Sequence, residues 1–269
     1  MKKYQWILMM LPVIFSACTK ITEVTSSYKA AAVVQGYLYQ GKPVLLQVTE
    51  QIPAGSNTTG QTPIDTLHVF IIHNGDTVAL THTDTGYYKS DSTFIIQPAQ
   101  TYSLLFYFNG SYVTAVTTVP ATPTNFSESE TSMTLTQINL SNGPPSSPPS
   151  MPSPLNLTWT NDNQGYYLVV AKNTEVNPEA VYTGVDTLHL AFQTQPTQAN
   201  SEEVRSQQFE YYGSTLIILF HVNPEYASLY FASSSSSQNL TSPSTNVVNG
   251  YGIFTAVSSD TLNFAVIKG

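Results

Sequence analysis

The 269-residue chain carries nine basic and seventeen acidic side chains, and only 10% of its residues are charged, against roughly 25% in a typical soluble protein. So few positive charges, with Arg205 the single arginine, exclude a nucleic-acid surface, which needs clustered Lys and Arg to neutralise phosphate. The lone cysteine, Cys18, excludes an internal disulfide and a thiolate metal cluster, so stability has to come from burial and strand pairing.

The chain opens with Lys2 and Lys3 and an apolar run from Trp6 to Phe15, too short for a bilayer core that needs roughly 20 residues. Residues 1–17 therefore read as a cleaved export signal. Ser16 and Ala17 immediately before Cys18 resemble the lipobox of bacterial lipoproteins, with Phe15 standing where that pattern usually has Leu, Val or Ile. The resemblance implies that Cys18 carries diacylglycerol as the first residue of the mature chain. Each buried methylene of such chains contributes about 0.8 kcal/mol, which makes a lasting anchor. Thr19 stands where an aspartate would favour the inner membrane, so the expectation is lipid anchoring in the outer membrane, on either face. Loss of Lys2 and Lys3 leaves seven basic against seventeen acidic residues, a formal charge of −10.

After a tether over 18–29, strand signals dominate. "AAVVQGYLY", "PVLLQVTEQI", "TLHVFII", "TVALTHT", "YSLLFYF" and "SYVTAVTTV" are short, rich in Val, Thr, Tyr and Phe, and bounded by turn formers. The Asn74-Gly75 pair predicts a two-residue hairpin with Val69 opposite Leu80 and Ile71 opposite Val78. These strands predict a small β-sandwich over 30–120, which is similar to transthyretin-like and other immunoglobulin-like modules, followed by a connection, "PATPTNFSESE". "MTLTQINL", "PLNLTWT", "GYYLVVAKN", "DTLHLAFQT", "STLIILFHV", "YGIFTAV" and "TLNFAVI" predict a second β-sandwich over 121–269, and "LNLTW" followed by "YYLVV" is similar to fibronectin type III domains, so the resemblance implies a fibronectin III-like module there. The fold class is all-β. The Pro/Ser-rich stretch 141–154 is an interdomain linker or a long loop; a loop is favoured, because "MTLTQINL" otherwise has no sheet to join. Asn223 as cap, Pro224 at the first turn and Tyr226, Leu229 and Tyr230 at helical spacing predict one short helix near 224–236.

Signatures of catalysis are missing from the sequence: no G-x-S-x-G, H-E-x-x-H or Walker motif occurs. On the Asn74-Gly75 register His68 and His82 fall on opposite faces, so no shared metal is expected, and His189 and His221 read as ordinary strand residues. "NDNQG" over 161–165 reads as a turn rather than a calcium loop. Trp159 is expected in the core, which leaves any sugar platform to tyrosines that spacing does not select. Asp-Thr or Asp-Ser recurs at Asp65, Asp76, Asp91, Asp186 and Asp260, where Asp closes a turn and Thr begins a strand. The same tripeptides are similar to acceptors for general O-glycosylation of secreted Bacteroidota proteins, which makes Thr66, Thr77, Ser92, Thr187 and Thr261 candidate modification sites.

The lipobox, "AVVQGYLYQGKPVLLQVTEQ", "TGYYKSD", "TYSLLFYFNGSYVTAVTTVP" and "SPSTNVVNGYGIFTAVSSDTLNF" together resemble the Bacteroidota lipoproteins grouped as domain of unknown function 4249. That resemblance covers most of the mature chain, and with no cofactor-binding motif in the sequence no cofactor is expected. Members are often encoded beside TonB-dependent outer-membrane transporters, which implies a non-catalytic binding or accessory role with such a transporter as partner. The alternative is a surface adhesin or structural envelope protein. Contact is expected through the loops at 49–63, 141–154 and 196–207.

Overall fold

The computed structural model describes residues 29–53, 60–143, 145, 150–233 and 245–269. The first part of the chain forms β1 (Ala32–Tyr39), β2 (Leu45–Glu50), β3 (Thr62–Pro63), β4 (Val69–His73), β5 (Asp76–His82), β6 (Tyr87–Lys89), β7 (Thr101–Phe108) and β8 (Ser111–Thr118). The second part forms β9 (Ser127–Glu128), β10 (Ser132–Leu135), β11 (Ile138–Asn139), β12 (Leu155–Thr158), β13 (Tyr166–Asn173), β14 (Tyr182–Thr183), β15 (Ala191–Gln193), β16 (Ser201–Val204) and β17 (Gly213–Val222). Helix α1 (Pro224–Ser233), β18 (Val247–Val248) and β19 (Gly250–Lys268) complete it.

Alternation decides the layers, because successive strand side chains point to opposite faces. In the first sandwich Val34 and Leu38 of β1, Leu46 and Val48 of β2, Ile71 of β4 and Leu104 and Phe106 of β7 meet in one core. Strand β5 joins the two layers: Asp76 to Leu80 pair with β4, whereas Thr81 and His82 pair with β6. The hairpin has the expected register, Val69 against Leu80 and Ile71 against Val78. Asn74 and Gly75 both adopt positive φ, 51° and 86°, the geometry that matches the twist of two-residue hairpins.

The second sandwich packs the layer β15, β13, β17, β19 and β10 against β16, β12 and β9. Its core holds Leu157, Trp159, Tyr167, Val169, Ile217, Leu219 and Phe264, with Trp159 4% exposed as expected for a core tryptophan. Because β10 pairs with β19 and β12 pairs with β16, the Pro-rich stretch connects two strands of this same sandwich. Residues 144 and 146–149 within it lie outside the described residues.

The C-terminal strand corrects two expectations. "YGIFTAV" and "TLNFAVI" are one 19-residue strand, β19, about 60 Å long at roughly 3.3 Å per residue. It belongs to both sandwiches. Residues 250–257 run parallel to β1, and residues 257–266 run antiparallel to β17, so the assignment of all of 121–269 to the second sandwich does not hold. Ser258, Ser259 and Asp260 read as a turn in sequence, yet the ladder to β17 continues through all three. The turn is suppressed because Ser258 is buried and its hydroxyl donates to the Ala121 carbonyl at 2.8 Å. Phe254 and Ala256 enter the first core and Phe264 and Val266 the second, all from the even-numbered face of the strand.

The connection after Pro120 is gripped by this junction. The Ala121 carbonyl also accepts from His221 Nδ1 at 2.8 Å, and Thr122 bonds Gln40. Helix α1 begins at Pro224 as expected and ends at Ser233, while 234–244 lie outside the described residues. Asn223 serves as cap with its carbonyl, which accepts from Tyr226 and Ala227. Its side-chain amide instead donates to Thr117 and Thr118 of β8. Among the described residues no helix is long and apolar enough to cross a membrane.

Candidate functional site

The even-numbered residues of β1 and β19 fill the cores, so their odd-numbered residues form a continuous outer face. Register builds this face row by row. Gln35 lies opposite Gln47, and Gln47 opposite Tyr87; Leu45 lies opposite Lys89. On the other side of β1, Tyr37 pairs with Thr255 and Tyr39 with Val257.

Two depressions share Tyr37 and Tyr39 as the ridge between them. The larger, an open groove of about 490 Å³, is bounded by Gln35, Gln47, Leu45, Tyr87, Lys89 and Lys42. The smaller, about 140 Å³, has a floor of Leu168, Phe220, Val222 and Val257. Helix α1 stands over its margin: Tyr226 meets Tyr37 edge-on at 6.1 Å, Glu225 accepts from Thr255 at 3.0 Å, and Tyr230 hydrogen-bonds Gln193.

The groove is held rigidly from below. Lys42 sits in the β1–β2 turn, made possible by Gly41 at φ 73°. Its N–H donates to Tyr39 and its carbonyl accepts from Ile96 at 3.0 Å. Lys89 is fixed by β6, paired on both sides to Leu45 and Thr81. Tyr39 and Leu45 are each 48% exposed and Tyr87 38%, so their apolar surfaces lie side by side in one groove. Burial, followed by the neighbouring Tyr39 and Tyr230, raises the Tyr37 hydroxyl pKa above the ordinary phenol value. Burial and then the Tyr230 hydrogen bond push Tyr226 further in the same direction. Both therefore remain protonated donors at neutral pH.

The residues singled out by sequence are scattered. Cys18 lies outside the described residues. Thr66, Thr77, Ser92, Thr187 and Thr261 are all exposed and spread over both sandwiches. Asp65 closes no turn of its own and instead accepts from Gly86 N at 2.6 Å, in the distant turn that Asp84 and Tyr87 close. Asp91 does close a turn through Thr93, whose hydroxyl and N–H bonds hold its pKa below the ordinary value. Asp260 departs from that pattern, since it lies mid-strand opposite Leu219. His82 bonds Asp65 and His189 faces Glu210, while His221 stacks on Tyr167 at 4.4 Å. Among the described residues no His, Cys, Asp and Glu group is placed to hold a metal. Asn161 closes the 161–165 turn with its own amide, bonding Gly165 in both directions.

Sequence reasoning missed the groove because β6 is only three residues long and its neighbours come from separate segments.

The model of a family described as a domain of unknown function, DUF4249, matches residues 19–263. The chain belongs to the DUF4249 family. No curated protein matches this DUF4249 chain. Among solved structures it is similar to the FN1-FN3 domains of chicken CNTN1, at 13% identity and a TM-score of 0.29, over 88% of this chain and 66% of that one. It is also similar to a segment of two fibronectin type III domains from chicken tenascin, at 8% identity and a TM-score of 0.23, over 87% and 98%. Overlaps this low carry no argument about the groove.

Proposed function

We propose that this DUF4249 protein is a lipid-anchored, non-catalytic binding subunit of the bacterial outer membrane, working beside a TonB-dependent transporter, with the tyrosine-lined groove as its ligand-contact surface. The observation that carries the binding part is the groove itself. Three tyrosines, two glutamines and two lysines converge on one face of a sheet whose backbone is already paired. Such an open surface suits holding a ligand rather than enclosing a reaction. The lipobox ending at Cys18 supports the anchor, and the family resemblance supports the transporter as partner. Two proteins tethered in one membrane need only a modest interface, because tethering raises their effective concentration.

The test is fractionation and capture from the native host. Cys18→Ala is expected to move the protein from the outer-membrane fraction to the soluble periplasm, with its circular dichroism spectrum unchanged. Mild-detergent capture of the wild-type protein is expected to recover a transporter barrel. Retention of Cys18→Ala in the outer membrane overturns the anchor. Recovery of no barrel, with cells instead adhering through the protein to a surface polymer, favours the adhesin.

A further inference from the structure

We propose that the larger groove binds an acidic oligosaccharide, with tyrosine faces stacking on sugar rings and Lys42 and Lys89 receiving uronate carboxylates. This rests on the groove being the ligand-contact surface and adds the class of ligand.

Charge distribution is the first argument. The chain is formally −8, yet two of its six described basic residues, Lys42 and Lys89, line this one groove and none of its described carboxylates does. Neither lysine is in an ion pair among the described residues. By contrast, Lys268, at the C-terminal end of β19, is paired with Glu179. An ammonium held without a counter-charge in a predominantly negative protein makes a local positive field that attracts an anion.

The second argument is the kind of anion. A peptide that bound by adding a strand would need a free sheet edge. Here β1 is bonded on both sides, by β19 and β2, and β2 is bonded on both sides, by β1 and β6. Recognition therefore has to come from side chains. Those available are phenol rings at Tyr39 and Tyr87, the apolar Leu45 between strands, and amides at Gln35 and Gln47. An aromatic ring presents an apolar body with a polar tip, which matches a pyranose with C–H groups on one face and hydroxyls around its rim. An amide both donates and accepts, as a row of hydroxyls requires. The side chain of Gln35 makes no hydrogen bond among the described residues, whereas that of Gln47 is oriented by its Nε2 bond to the Thr85 carbonyl at 3.0 Å. The groove is open along its length, so a chain of several sugars can cross it.

The experiment uses the full-length lipoprotein in detergent and measures binding by calorimetry to hexamers of galacturonate, glucuronate and mannuronate, with maltohexaose as the neutral control and deca-glutamate as the acidic peptide. At least one uronate hexamer is expected to bind at least tenfold tighter than maltohexaose. Its affinity should fall as sodium chloride is raised from about 50 to 500 mM. The double variant Lys42→Gln/Lys89→Gln is expected to lose about tenfold, Tyr39→Ala/Tyr87→Ala to abolish binding, and Lys172→Gln, on a distant strand, to leave it unchanged. All these side chains are exposed, and a near-ultraviolet dichroism spectrum reports that each variant is folded. Equal binding of maltohexaose, or an unaffected lysine variant, overturns the charge assignment. Deca-glutamate binding as tightly as the best uronate overturns the sugar assignment. No binding of any uronate overturns the proposal as a whole. Transporter capture reads the tethered role independently, so the two can fail separately.

Discussion

Replacing Phe254 with alanine is the sharpest test of the shared C-terminal strand, because this residue sits far from the first sandwich in sequence and at its centre in space. Its ring is fully buried in the first core and lies against Gly36: a Cβ built on Gly36 would stand 2.8 Å from Phe254 Cδ2 and 3.5 Å from Leu46 Cβ. The missing side chain of Gly36 is thus the space the ring occupies. Collapse into a vacated site is hindered, since Asn246 clamps the Phe254 backbone, its amide donating to the carbonyl at 2.7 Å and its oxygen accepting from the N–H at 3.0 Å. The cost therefore belongs to the range for deep aromatic truncation, about 3–5 kcal/mol, a large part of the roughly 5–15 kcal/mol that holds a domain together. Hydrogen exchange followed by mass spectrometry reads where the loss falls. Core amides of β4 and β7 are expected to exchange about two to four orders of magnitude faster, with β12 and β13 less affected. Phe264→Ala, on the same strand but stacked on Phe209 at 5.3 Å in the second core, is expected to reverse that pattern. Gly36→Ala should cost about 1–3 kcal/mol by overpacking in the wild type and much less when combined with Phe254→Ala, a coupling that marks direct contact. The reasoning is refuted if Phe254→Ala leaves β4 and β7 as protected as before.

Two further predictions concern the same strand and its neighbours. Gly252 has φ 93°, and a Cβ there would lie 2.0 Å from the Val34 carbonyl oxygen; left-handed strain plus a backbone clash puts Gly252→Ala at about 2–5 kcal/mol, read as a lowered urea midpoint, and a variant within about 0.5 kcal/mol of wild type would show that this register is wrong. His221 has its pKa lowered, chiefly by burial, with the Ala121 hydrogen bond opposing the shift. The unfolded chain therefore takes up the proton first as pH falls, so the contribution of His221 to stability is full above the ordinary imidazole pKa and is lost on descent through the range between the unfolded and folded values. Urea titrations at stepped pH are expected to show the stability gap between wild type and His221→Gln narrowing as the solution is acidified; a gap that widens would contradict the sign.

Local chemistry was sufficient wherever a few adjacent residues carried the whole instruction. Asn74-Gly75 dictates the turn and hence the β4–β5 register, because both positions need positive φ and few other residue pairs adopt it without strain. Pro224 sets the start of α1, since a missing N–H costs nothing in the first turn. Two-residue periodicity was likewise enough to declare an all-β chain, while the likeness of "LNLTW" to fibronectin type III domains sent Trp159 inward. Tertiary structure decided what depends on partners distant in sequence. Ser258, Ser259 and Asp260 favour a turn by themselves, and only the β17 ladder with the Ala121 carbonyl carries β19 straight through into both sandwiches. Asn223 could bond its own helix, and the nearby Thr117 and Thr118 drew its side chain away. The groove is the extreme case: Tyr37, Leu45 and Lys89 come from three strands, and nothing local to any of them marks a site. Their convergence is a product of register, which is settled by which faces can be buried and not by any one segment.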